Sequence, residues 1–134
     1  MPHVSRFPLK NEVKREITKS LWWILAKFGK QEEIERFLGE LLTPTEKTML
    51  AKRLAIAAML TKGYSYKDIG DVLKVSPTTV LNIKNWLERG GEGYKMAIKK
   101  LAEREVMDNF WKEVGEILKW MAGPGKLVRR GKQY

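Results

Sequence analysis

Ser65 and Ser76 each stand immediately ahead of a short run with helical spacing, and the turn left between the two runs is only a few residues long. A serine at the N-cap satisfies backbone N–H groups that the first turn leaves without partners, so both positions predict helix starts. Asp68 completes a capping box with Ser65, Pro77 brings the preset φ suited to a first turn after Ser76, and Gly90-Gly91 stops the second helix after Arg89. Two helices that cross steeply through so short a turn need apolar residues at a few fixed places. Counted from Tyr66, the fourth, eighth, tenth, fifteenth and eighteenth positions are Ile69, Leu73, Val75, Val80 and Ile83. The fifth, against which the second helix presses, must be small and is Gly70. Lys74 occupies a turn position that favours glycine, at some conformational cost. The segment 65–89 is therefore expected to form a helix-turn-helix.

The rest of the chain shares the helical period and has no run that alternates over a strand's length, so the expected fold class is all-α. A first helix is predicted from about Asn11 to Phe28, with Val13, Ile17, Leu21, Ile24, Leu25 and Phe28 as its apolar stripe and Gly29 as its end. A second runs from about Gln31 to Leu42. Thr43, Pro44 and Glu46 form a capping box that opens a third, which ends at Gly63. From about Tyr94 to Met121, the spacing of Leu101, Met107, Phe110, Trp111, Val114 and Leu118 predicts one long C-terminal helix, weakened locally at Gly115. The expected organisation is a partly disordered arm over 1–10, a single helical domain over 11–122, and a basic tail over 123–134. Lys126, Arg129, Arg130 and Lys132 of that tail either touch phosphate or are simply solvated.

Charge narrows the partners. A formal net charge of +10 on 134 residues attracts polyanions, which puts nucleic acid or an anionic membrane surface first. No apolar run, Leu21 to Ala26 included, approaches the roughly 20 residues that cross a bilayer. The N-terminus lacks the apolar core of a signal peptide, and there is no cysteine for a disulfide or a thiolate metal site, so a cytoplasmic protein is expected. His3 is the single histidine, and it lies in a segment expected to fray. A nucleophilic triad or a metal centre usually needs converging histidines. No catalytic residue, metal or cofactor is therefore expected, and the chain is not read as an enzyme.

On the second helix of the motif, Val80, Ile83 and Leu87 recur at intervals of three and four and mark the buried side. At about 100° per residue, Thr78 and Asn85 then point directly away, with Leu81 and Asn82 on the outer flanks. These four are the candidate readers of base edges in double-stranded DNA. Asparagine can pair bidentately with adenine, threonine can bond several bases, and leucine can pack on a thymine methyl. The lack of an outward arginine near the helix start argues against readout dominated by guanine. Ser65, Lys67, Ser76, Lys84 and Arg89, with Thr78 and the amides at the helix starts, are candidate phosphate contacts.

These residues sit within a longer pattern: Phe37-Leu38, Leu41-Leu42-Thr43-Pro44-x-Glu46, Arg53, Met59-Leu60-x-Lys62-Gly63-Tyr64-Ser65-Tyr66-Lys67-Asp68-Ile69, and Leu87-x-Arg89-Gly90-x-x-Gly93-Tyr94. The pattern resembles the Trp repressor superfamily, in particular its YerC/YecD-like branch. The resemblance implies an intertwined homodimer whose N-terminal helices interlock and whose two reading helices face successive major grooves; Trp22 and Trp23, outside the stripe of the first helix, suit such an interface. In the tryptophan-responsive member the ligand lies between two arginines. Arg53 matches the first and Thr43 a further pocket position, but Asn82 replaces the second, and Trp86 stands one turn on where that member has a small residue. The expectation is a vestigial pocket, partly filled by Trp86, and a repressor that uses no small-molecule corepressor. Two other readings stay open: the DNA-docking part of a transposition or replication-initiation assembly, and a helical protein-interaction module.

Overall fold

A computed structural model describes residues 8–123, whose regular structure is entirely helical. In chain order the helices are α1 (Asn11–Lys27), α2 (Gln31–Leu41), α3 (Pro44–Lys62), α4 (Tyr66–Leu73), α5 (Pro77–Glu88), α6 (Glu92–Glu103) and α7 (Asp108–Ala122). The chain divides into two compact units between Met49 and Leu50, within α3. Residues 1–7 of the expected arm, His3 among them, and the basic tail from 124 onward lie outside the described residues. Among the described residues no helix is long and apolar enough to cross a membrane.

The first unit contains α1, α2 and the opening of α3. Not one residue of α1 or α2 is buried, although both helices carry apolar stripes. Val13 and Ile17 are 43% and 56% exposed, and Trp22 and Trp23 are also in the open. The turn between the two helices is tied by the Gly29 N–H, which donates to Glu33 Oε1 at 3.2 Å, and by the tilted Phe28 and Phe37 rings, 5.5 Å apart.

The start of α3 shows both halves of its capping box. Glu46 N–H donates to Thr43 Oγ1 at 3.1 Å, and Thr43 N–H donates back to Glu46 Oε1 at 2.8 Å. That second bond, made to the charged form, holds the Glu46 carboxyl below its ordinary value. A depressed carboxyl favours the fold at neutral pH, and this contribution is lost as the pH falls below about 4.5. Glu46→Gln should therefore flatten the acid limb of stability against pH, checked by thermal melts of both chains at a series of pH values.

The second unit is built around the C-terminal half of α3. Ile56, Ala57, Ala58 and Met59 are all buried, and four successive buried residues face every direction, so this part of α3 is surrounded. Ile69 from α4, Val80 and Ile83 from α5, and Val114 and Leu118 from α7 close round it in one apolar cluster. Tyr64 stacks on Trp111 at 6.0 Å at the edge of that cluster, and the Lys62 ammonium sits 4.7 Å from the Trp111 ring.

The expected single C-terminal helix is two helices. It breaks between Glu103 and Asp108, with Glu105 in the left-handed region at φ 52, and not at Gly115, which lies within α7. Val106 N–H reaches back to Leu101 O at 3.1 Å, the bond that closes a helix end of this type. The reason is facial. In one unbroken helix Val114 and Leu118 would lie about 160–200° round from Ile98, on the opposite side. Tyr94 and Ile98 before the break and Val114 and Leu118 after it all pack on the same core. Only a reversal between them allows this.

Candidate nucleic-acid interface

The pair α4 and α5 carries the candidate DNA contacts, and both helix starts are capped by serine. Ser65 Oγ accepts the Asp68 N–H at 3.0 Å, and Ser76 Oγ accepts the Thr79 N–H at 3.2 Å and shares a hydrogen bond with Thr79 Oγ1 at 3.0 Å. Both serines are exposed, so the N–H groups left at each helix start can meet an anion.

The bend between the helices depends on two residues. Lys74 adopts φ 57 and ψ 55, the left-handed conformation that its position demands, and its carbonyl accepts a hydrogen bond from Lys52 Nζ of α3 at 3.3 Å. Gly70 lies under the bend: the Val75 N–H donates to its carbonyl at 3.3 Å, and a Cβ on it would come within 3.0 Å of the Val75 carbonyl oxygen. That approach is why a side chain is unwelcome at this position. Ile69, Val80 and Ile83 are in the buried cluster, and Leu73 and Val75 are half-buried against it.

With that side of α5 packed, the opposite side is open. Thr78, Asn82 and Asn85 are exposed, as is Leu81 at 44%. Ser65, Lys67, Ser76 and Arg89 are exposed too, and Lys84 is half-buried. The two lysines do not stand alone. Lys67 Nζ meets Asp71 Oδ2 at 2.8 Å, and Lys84 Nζ meets Glu88 Oε2 at 3.0 Å while lying 6.0 Å from the Tyr66 ring. The hydrogen bond to Asp71 and its charge hold the Lys67 ammonium above its ordinary pKa; for Lys84 the bond to Glu88 acts first and one to Tyr66 second. Asp71, Glu88, Tyr66 and Lys52 thus belong to this surface, although motif reasoning did not single them out. The i, i+4 spacing of the two pairs was a readable signal; nothing in the sequence marked Lys52 or Tyr66.

Of the expected vestigial pocket, Arg53, Asn82 and Trp86 are all exposed. Trp86 is 63% exposed and lines an open groove of about 530 Å³ with Leu54, Gly91, Glu92, Gly93, Tyr94 and Ala97. Gly91 sits at φ 58 with its missing Cβ only 2.8 Å from Leu87 Cα, so the groove wall turns where a side chain could not. Arg53 precedes Leu54 on α3 but is exposed, and neither it nor Asn82 is among the groove's walls. Thr43 is engaged in the cap of α3.

Comparison with known proteins bears on the family and the fold. The sequence model described as "Trp repressor protein" matches residues 17–102, from α1 into the last turn of α6. Over 75 residues the chain is 36% identical to the uncharacterized protein YerC of Bacillus subtilis, covering 56% of this chain and 72% of that protein. A crystal structure of a candidate Trp repressor from Staphylococcus aureus superposes with a TM-score of 0.62 at 26% identity, over 71% of this chain and 96% of the other. The helix α7 lies beyond the family match. With the larger part of the chain matched and the helix-turn-helix of α4 and α5 within the match, the protein belongs to the Trp repressor family.

Proposed function

We propose that this protein is a homodimeric, sequence-specific regulator of transcription, a repressor that enters the major groove of double-stranded DNA with α5. The observation that carries this reading is the two-sided character of α5: Val80 and Ile83 are fixed in the core, while Thr78, Leu81, Asn82 and Asn85 stand outward together. A rigid helix with an exposed polar side, flanked by two open helix starts and the lysines at 67 and 84, is what direct readout with phosphate positioning requires. Membership of the Trp repressor family supports the same reading.

The apolar side of α1 supports the dimer. A stripe of this kind with no buried residue is stable in water when a second chain covers it. A twofold dimer then presents two α5 helices to half-sites about 34 Å apart, one turn of DNA. Selection from a random duplex library tests the function: a palindromic motif is expected. A non-palindromic motif would favour a docking role at element ends, and no enrichment at low salt would leave a protein-interaction module.

Regulation by free tryptophan is not part of the proposal. Asn82 stands where a stacking guanidinium would be needed, and the Trp86 ring lies on the same edge of α5 one turn away. A calorimetric titration with tryptophan should show no saturable heat; micromolar binding would show that the pocket functions by other contacts.

A further inference from the structure

The two acidic residues paired with the phosphate-facing lysines are placed where helix stability gives no reason for them. Asp71 lies in the last turn of α4 and Glu88 is the final residue of α5, and neither helix has a basic residue in its last turn. Negative charge at a helix C-terminus opposes the macrodipole. Each pair also runs lysine first and acid four residues later, the less favourable order along a helix. What the two carboxylates do achieve is to hold Lys67 at 2.8 Å and Lys84 at 3.0 Å against their own helices. Exposed pairs of this kind are weak, so a phosphate within hydrogen-bond reach displaces the carboxylate. A phosphate held at a distance by the general field of the protein does not, because salt screens it.

We infer that Asp71 and Glu88 set specificity by latching Lys67 and Lys84 until a duplex docks in register, so that sequence-independent binding lacks these two phosphate contacts. The inference rests on the DNA-binding reading of α4 and α5. In it, random DNA meets a surface whose lysines are already satisfied. A cognate duplex, positioned by the outward residues of α5, brings phosphates close enough to exchange partners with both lysines.

The test uses the full chain as wild type, Asp71→Asn, Glu88→Gln and the double variant. Each is titrated at several salt concentrations against a duplex selected from the random library and against a scrambled duplex. The double variant should bind the scrambled duplex on the order of ten-fold more tightly at low salt, and the log–log salt slope on that duplex should steepen by about 0.9 for each lysine released. The slope on the selected duplex should stay where it is, since both lysines are already on phosphate there. Equal steepening on both duplexes would reduce the carboxylates to a net-charge effect, and no change on either would show that the lysines do not reach DNA; both outcomes overturn the latch while DNA binding by the wild type stands. Wild-type chain that binds neither duplex would remove the DNA-binding reading itself, and the latch with it. The single variants should melt at or above the wild-type temperature. A clear fall would make the pairs structural staples and would also overturn the inference.

Discussion

Leu118→Ala is expected to lower folding stability by about 2–5 kcal/mol and to weaken binding to every duplex alike. Leu118 is only 6% exposed and closes the cluster that holds Ile69 of α4 and Val80 and Ile83 of α5. Removing its branched end leaves a cavity behind the helix-turn-helix, and the loss is a large share of the roughly 5–15 kcal/mol that a small domain has in total. The helix α7 lies outside the region matched by the family. The first helix of the motif packs on α7, so support of the helix-turn-helix passes through it. Urea unfolding checks the stability change, and titration of a random duplex below the melting temperature checks the loss of binding. Trp120→Ala is the control: Trp120 is on the same helix but 81% exposed, so its loss should stay within about 0.5 kcal/mol. A Leu118→Ala cost as small as that of Trp120→Ala would mean that α7 does not brace the motif.

Much of this architecture was legible because local chemistry and burial ask for the same residues. The serine and threonine caps, Pro77 and the apolar positions from Ile69 to Ile83 agree with one another, so the helix starts and the packed side of α5 followed from spacing alone. The C-terminal region was read as one helix because residues 103–107 contain neither glycine nor proline, and Glu and Arg are good helix formers. Its break is imposed by packing, when two stripes on different faces must meet one core. The change of face between Ile98 and Val114 was present in the sequence and would have shown it. Lys52 was beyond such reasoning, since its bond to the Lys74 carbonyl joins residues far apart in the chain. The bareness of α1 was also beyond it, because periodicity identifies an apolar stripe without saying which chain covers it.

Asn85→Ala should cost about 1–3 kcal/mol on the selected duplex, roughly a 5- to 150-fold loss, with little effect on a scrambled one. Asn85 is exposed, and at about 100° per residue it lies opposite the side of α5 fixed by Val80 and Ile83. The substitution is clean for folding: alanine favours a helix more than asparagine does, and the Asn85 main-chain carbonyl that accepts the Arg89 N–H is untouched. Any loss of affinity therefore belongs to the side chain. An amide that donates to and accepts from adenine loses both bonds on truncation, and it loses them only where that adenine is present. An amide that merely touches a phosphate loses the same amount everywhere. Affinity measured on the two duplexes at one salt concentration separates the cases, and equal losses would move Asn85 from the readers of sequence to the residues that hold the backbone.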